Sequence, residues 1–429
     1  VTDGRSRRQV LKAAVAAGGA ASLSACLDAI GEESVDRPTG TDDLSTLPNR
    51  QFAWDDVVRH DEYGNEQLPR HQILLYLTLE RDGQPTDADR RQVKRAFGSL
   101  NRAFEWSHEG VVWSVAYSPA YFDRYDESLP EGIDCPPPHS LSPFEQPTFD
   151  EQDMLVHLAS DHADAVIAAE EALRGNRESA NGVEFDASLS GVASLASDAD
   201  RRTGFVGSGM PADRQSDLEG VPDDGPVPDA SPLFMGFKAG FAQNQATEDR
   251  VTIRSGPFAD GTTKHVARIR QRLDDWYGEQ NFAERVAEMF SPEHADEGWV
   301  EGIGENLGDN SRVDETLDTI REQASESGRV GHAQKAARAN RDEDGSVKLL
   351  RRHFESTDEN VASLHFPSLQ REMSSFDAVR AAMNGTDLTE ATPVVRQRVN
   401  NGILEYIFVA NRGNWLVPPL SKRALPRPR

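Results

Sequence analysis

His71-Gln72-Ile73-Leu74-Leu75-Tyr76-Leu77-Thr78-Leu79 is a nearly continuous apolar run, the pattern of a strand buried on one face and partly on the other. Thr86 follows it, with Asp89 three residues later, a helix start of the capping-box kind. Val93, Ala96, Phe97, Leu100, Ala103 and Phe104 then recur at helical spacing, which makes one apolar face. Residues 111–117 and 154–158 read as further strands, and 161–173 as a helix carrying Val166, Ile167, Ala169 and Leu173. The order is βαββα, with more strand density at 183–195.

A passage rich in Pro, Gly and Asp at 207–232, with Val221-Pro222-Asp223-Asp224-Gly225-Pro226 inside it, marks a linker. Beyond it the pattern recurs. Residues 233–237 and 264–269 read as strands, 282–290 as helix, and 348–354 and 361–366 as strands. Phe376, Val379 and Met383 form a helical face closed by Asn384-Gly385. Residues 405–410 and 415–417 flank Asn411-Arg412-Gly413-Asn414, a hairpin signal, and the acidic, Gly-rich 296–327 reads as a surface excursion. Two such halves predict an α+β fold of two tandem ferredoxin-like domains, 51–230 and 231–429, whose antiparallel sheets pack together as in a dimeric α+β barrel.

The N-terminal end carries addressing signals. Ser6-Arg7-Arg8-Gln9-Val10-Leu11-Lys12 precedes a short Ala/Gly-rich stretch ending in Leu23-Ser24-Ala25-Cys26. Paired arginines before a weakly apolar run resemble a twin-arginine export signal, and Leu-Ser-Ala-Cys a lipoprotein cleavage box. The expectation is a 1–26 signal, lipidation at Cys26, a disordered tether over 27–50, and anchoring at the outer face of the cytoplasmic membrane. The stretch is too short and too poor in large side chains to remain as a membrane span. Twin-arginine export carries folded proteins, which suits a chain that takes up a cofactor before it crosses.

With 46 Lys+Arg against 72 Asp+Glu the formal charge is -26, and only seven of the basic residues are lysine. An acidic, Lys-poor surface fits a halophilic solvent, where added salt screens self-repulsion. It argues against nucleic acid as a partner, since phosphate binding needs a basic patch. Cys135 has no second cysteine beyond the lipoprotein box, so neither an internal disulfide nor a multi-cysteine zinc site is available.

No HExxH, GxSxG, GxGxxG or P-loop occurs, so the common hydrolase, zinc-protease and nucleotide-binding classes find no support. Single residues remain. His332 sits in Gly328-Arg329-Val330-Gly331-His332-Ala333-Gln334-Lys335, and nineteen residues later Arg351 opens the pair in Leu349-Leu350-Arg351-Arg352-His353-Phe354. A charge on a core-facing strand position is costly unless paired or bound to a ligand, and alternation points one of the two arginines inward.

These residues resemble the dye-decolorising peroxidase family, haem enzymes of two ferredoxin-like domains, from about His71 to Pro419. His332 with Leu350-Arg351 matches that family's proximal haem-ligand histidine and distal arginine. Gln370-Arg371-Glu372 after Phe366 resembles its Gln-Arg-Asp segment, and residues 263–276, with Arg268-Ile269-Arg270, its strand leading to the proximal helix. Glu405-Tyr406, Gly413 and Val417-Pro418-Pro419 resemble its closing segment. One departure stands out: the family's Gly-x-x-Asp-Gly turn corresponds to Gly236-Phe237-Lys238-Ala239-Gly240, where Ala239 replaces the catalytic Asp, and a rival placement at Gly204-Phe205-Val206-Gly207 also lacks it.

The resemblance implies haem b held by His332, with Phe366 and Leu369 in the cofactor wall, and a peroxidase using hydrogen peroxide and an unknown electron donor. Arg351 stabilises charge as the O–O bond breaks, and deprotonation of peroxide falls to water, His353 or Arg351. His265 is a rival axial ligand in the same domain, and His353 and His365 also read as ordinary strand histidines. Loss of the acid leaves two alternatives: a non-catalytic haem-binding or structural surface module, or a protein that acquires iron from haem.

Overall fold

The protein is described here by a computed structural model covering residues 37–216 and 218–429. The apolar run forms β1 (His71–Leu79), buried along nearly its whole length. Helix α1 (Asp87–Ala103) opens with the expected capping box, the Thr86 hydroxyl accepting from the Asp89 amide while the Asp89 carboxylate accepts from that of Thr86. Val93, Ala96, Phe97 and Leu100 turn inward against Ile73, Leu75 and Leu77 of β1. Next come β2 (Val112–Tyr117), β3 (Met154–Ser160), α2 (Ala163–Arg174) and β4 (Arg201–Phe205). They form an antiparallel sheet in the order β4-β1-β3-β2.

The second half repeats the scheme. Strand β5 (Thr262–Gln271) is followed by a long helical insertion containing α3 (Phe282–Met289) and α4 (His332–Ala339). Then come β6 (Phe354–Ser356), β7 (Ser363–Gln370), α5 (Met373–Met383) and β8 (Ile407–Val417), with sheet order β8-β5-β7-β6, again antiparallel. Each half is thus a βαββαβ unit, the ferredoxin-like arrangement expected from the sequence. The sheets join edge to edge, through Phe205 and Glu355 on one side and Tyr117 and Leu416 on the other, and close into a barrel. Closure pairs edges that would otherwise invite association. Leu74, Tyr76, Leu155, Val266, Phe354, Leu369 and Trp415 fill the space between the sheets.

Several expected elements differ. Residues 233–237 form turns rather than a strand: Gly236 has φ +87°, and side chains satisfy the backbone there. Glu355 accepts from the Phe234 amide at 2.8 Å, while Tyr277 Oη and Trp276 Nε1 donate to the Phe234 and Met235 carbonyls at 2.7 and 3.1 Å. The expected hairpin at Asn411–Asn414 is the middle of β8, paired residue by residue with β5 and bulged opposite Arg268/Ile269. Gly413 serves close approach, not turning, because a Cβ there would meet the Asp150 carbonyl at 2.9 Å.

The presumed linker and surface excursion are packed: Met210, Leu218 and Val227 are buried in the second half, as are Val313, Ile320 and Ala324. From Arg37 onward the expected tether also lies on the body, with the Arg37 guanidinium on Asp164 at 2.9 Å and the Gly40 amide on the Arg102 carbonyl at 3.0 Å. The twin-arginine stretch and Cys26 lie outside the described residues. Among those residues no helix is long and apolar enough to cross a membrane.

Candidate active site

His332 is the first residue of α4, and its position is set by close backbone approaches. A Cβ on the preceding Gly331 would stand 1.7 Å from the Phe290 carbonyl oxygen, and one on Gly402 would stand 2.9 Å from the His332 nitrogen. The fully buried Lys335 ammonium, one turn on, donates to the Asn401 carbonyl and side chain at 2.7 and 2.6 Å and to the Met383 carbonyl at 3.0 Å. Gly331→Ala should therefore push α4 away from Phe290 and cost about 1–3 kcal/mol. A denaturant midpoint matching the parent chain's would show that the Phe290 carbonyl can give way.

Across the site, Leu350 and Arg351 pair with Leu369 and Ser368 of β7, and β6 resumes the same register with Phe354 opposite His365. The break falls at Pro367, which has no amide hydrogen to donate, so the expected strand at 348–354 is split. Alternation nevertheless holds through the gap. Arg351, His353 and Glu355 all line one cavity. Arg352 turns the other way, where its guanidinium meets Glu66 and Glu248 at 2.8 Å each. Arg351 is clamped: Nε donates to Gln245 Oε1 at 3.1 Å and Nη2 to the Asn244 carbonyl at 2.9 Å.

The cavity brings His332 together with Arg351 and His353, and the Ala239 loop forms another wall. Its apolar lining comes from Met235, Phe237, Phe290, Val313, Phe366 and Ile403. The cavity holds about 160 Å³ and shares Leu233, Lys238, Ala239, Gly240, Arg351 and His353 with an adjoining open cleft of about 910 Å³. Alone it is smaller than small-molecule sites of about 300–1,000 Å³; a macrocycle would need the cavity and the edge of the cleft together.

Three candidate residues are elsewhere. Leu369 faces the barrel interior, because an odd number of strand positions separates it from Phe366. His265 stacks on Phe376 at 3.9 Å, its Nδ1 2.8 Å from Asn414 Oδ1, and does not line the cavity. His365 lies near Asp358, at 3.9 Å, and is likewise absent from the cavity wall. Gly204 and Phe205 belong to β4, which removes the rival placement of the turn. Sequence reading missed Glu355, although period-2 spacing from Arg351 reaches it, and it missed Gln245, whose role depends on a contact across 106 positions.

Burial governs the charge states. It pushes His332 down to about 3, helped by the Lys335 and Arg351 charges, and His353 down to about 3, helped by Arg351. Burial lowers Arg351 to about 10 and raises Glu355 to about 8, outweighing the Phe234 and Gln271 hydrogen bonds. At neutral pH the site thus presents two neutral imidazoles, a guanidinium and a largely protonated carboxyl. His332 Nδ1, His353 Nδ1 and Glu355 Oε2 are buried without a hydrogen-bond partner. No cluster of three or more metal-binding side chains occurs among the described residues.

The sequence profile of a family of unknown function, DUF7405, matches residues 69–419. The chain belongs to this family. No curated protein sequence matches it. Solved structures do resemble this DUF7405 member in fold. A Dyp-type peroxidase protein from Shewanella oneidensis shares 17% identity with a TM-score of 0.50, covering 83% of this chain and 94% of its own. DypB of Rhodococcus jostii, as a variant in complex with heme, shares 13% with a TM-score of 0.52, covering 86% and 96%. The dye-decolorizing peroxidase of Bacteroides thetaiotaomicron shares 12% with a TM-score of 0.52, covering 85% and 97%. The DUF7405 chain therefore has the dye-decolorising peroxidase fold.

Proposed function

We propose that the chain is a haem protein of the dye-decolorising peroxidase kind, in which His332 would hold haem b and Arg351 and His353 would meet hydrogen peroxide. The supporting observation is convergence: His332, Arg351 and His353, from a helix and a separate strand segment, line one aromatic-walled cavity. The donor set suits the group, since a neutral imidazole is the form that binds iron. Bound haem would supply a redox-active iron that reduces peroxide at the expense of an electron donor.

The protein's own contribution is electrostatic and steric. Arg351, held by Gln245 and the Asn244 carbonyl, presents a fixed positive charge where negative charge develops on a peroxide oxygen, without reorganising during the reaction. Phe237, Phe290 and Phe366 give the wall an apolar surface that disfavours water. Ala239 places no proton acceptor in the wall, which supports an altered peroxidase rather than a standard one. Full-length protein produced with haem should show a Soret band that His332→Ala abolishes; a colourless parent protein overturns the reading.

A non-catalytic haem-binding module is favoured by two observations. Ala239 removes the acid, and His332 Nδ1 lacks the carboxylate or carbonyl partner that usually raises the basicity of a ligating histidine. Bound haem without peroxide turnover would decide for it. Arg7-Arg8 and Cys26 support export by the twin-arginine route and a lipid anchor at the outer face of the cytoplasmic membrane, with the membrane contacted through that anchor only.

A further inference from the structure

We propose that Glu355 is the proton-transfer group of this cavity, replacing the carboxylate absent at position 239. The inference rests on the haem-peroxidase reading and deepens it. Glu355 stands on β6, in register with the interrupted segment that carries Arg351 and His353, and its side chain lines the same space as Ala239. One oxygen is tied down: Oε1 accepts from the Phe234 amide at 2.8 Å and from Gln271 Nε2 at 3.4 Å. The other, Oε2, is buried and makes no hydrogen bond. A carboxyl oriented by one oxygen and free at the other is what a proton acceptor requires.

Phe234 also joins Glu355 to the Ala239 loop. Its amide bonds Glu355 and the loop's first glycine, Gly236, lies two residues on, so the carboxyl and the vacant acid position are mounted on one segment. The charged and titratable groups lining the cavity with Glu355 are Arg351 and His353 on the segment before β6, His332 on α4, which the haem reading assigns to the iron, and Lys238, which is paired with Asp61 at 2.6 Å; Tyr277 lies near Glu355 on the helix Leu273–Glu279. Tyr277 spends its hydroxyl hydrogen on the Phe234 carbonyl at 2.7 Å. Arg351 is engaged by Gln245 and Asn244, and burial leaves His353 too weak a base at neutral pH. Glu355 is the remaining acceptor among these groups, and it accepts in its ionised form, which grows as pH rises through about 8.

The proposed step moves one proton. Once Glu355 is ionised, as pH rises through about 8, the O–H bond of hydrogen peroxide breaks, an O–H bond forms on Glu355 Oε2, and the negative charge passes from the carboxylate to the hydroperoxide anion. Hydrogen cyanide, which binds haem iron as the anion, must surrender its proton in the same way and provides a measurement independent of turnover.

In the haem-loaded full chain at about pH 8.5, where Glu355 is ionised, Glu355→Gln should slow both cyanide association and the peroxide-dependent Soret change by about 100-fold, within the usual range for a general base. Its Soret band and circular dichroism should match the parent's. Adding Ala239→Asp to that variant should restore at least part of both rates by returning a carboxyl to the same wall. Should Glu355→Gln not fold, Glu355→Asp substitutes, with a displaced pH profile for cyanide association expected. A haem-loaded Glu355→Gln chain with unchanged cyanide and peroxide rates, or an Asp variant with an unshifted profile, overturns the Glu355 proposal and leaves the haem reading intact. A parent chain that takes up no haem overturns both.

Discussion

Glu355→Gln stabilises the protein at pH 8.5 and leaves it almost unchanged at pH 4.5, whether or not haem is bound. Glu355 is fully buried, and burial lifts its carboxyl from 4.5 to about 8. The folded-state value lies above the unfolded one. Stability associated with this group is therefore fully present below about pH 4.5 and is lost as pH rises through about 8, because only the unfolded chain ionises freely. Each pKa unit corresponds to about 1.4 kcal/mol, so the ceiling on the penalty above pH 8 is about 5 kcal/mol. Glutamine keeps the shape and an acceptor for the Phe234 amide but cannot ionise. Denaturant midpoints of the two proteins across this pH range should diverge as pH rises, at low and high salt alike, since the cost is desolvation and not screened repulsion. Parallel curves would mean that Glu355 ionises in contact with water, and its retention as a buried acid would have to be given up.

Asp150→Ala should cost about 3–5 kcal/mol of folding stability, the usual penalty for stranding one member of a buried ion pair. Asp150 and Arg202 are 2% and 4% exposed and meet through two hydrogen bonds of 2.5 and 2.7 Å. The guanidinium also lies over the ring of the buried Tyr76 at 4.1 Å. Asp150 further connects the halves: its amide donates to the Arg412 carbonyl at 2.8 Å, and Asn411 Nδ2 donates to its carboxylate at 3.2 Å, both partners lying on β8. Removing the carboxylate leaves Arg202 charged with no route to solvent. Equilibrium unfolding should show the loss, and Asp150→Leu with Arg202→Met should recover much of it by removing both charges together. A single-variant loss below about 1 kcal/mol would mean that water reaches Arg202.

Local chemistry was legible where it acts over a few residues. Thr86 and Asp89 formed their capping box because both partners lie within one turn. The apolar run at β1 had too little polarity for any place but a core. His332 and Arg351 were singled out by resemblance to the dye-decolorising peroxidase family, and the cavity contains both. The hairpin expected at Asn411–Asn414 failed because its Gly and Asn residues answer to partners far along the chain: Gly413 makes room for Asp150, and Asn414 holds His265. Residues 233–237 have strand composition, yet side chains from other elements satisfy their backbone, and that competition is invisible in a local window.

The sequence by itself determined the two βαββαβ units, through apolar periodicity and helix-end signals, and it determined that the wall residue at position 239 carries no acid. Tertiary structure decided which strand face met the cavity. Arg351 entered and Arg352 turned to Glu66 and Glu248; Phe366 entered and Leu369 filled the barrel. The reason is that side chains alternate every residue, so a face is assigned only when the neighbouring strands fix the register. Burial, which sets the proton affinity of Glu355, exists only once the two sheets and the inserted helices enclose it.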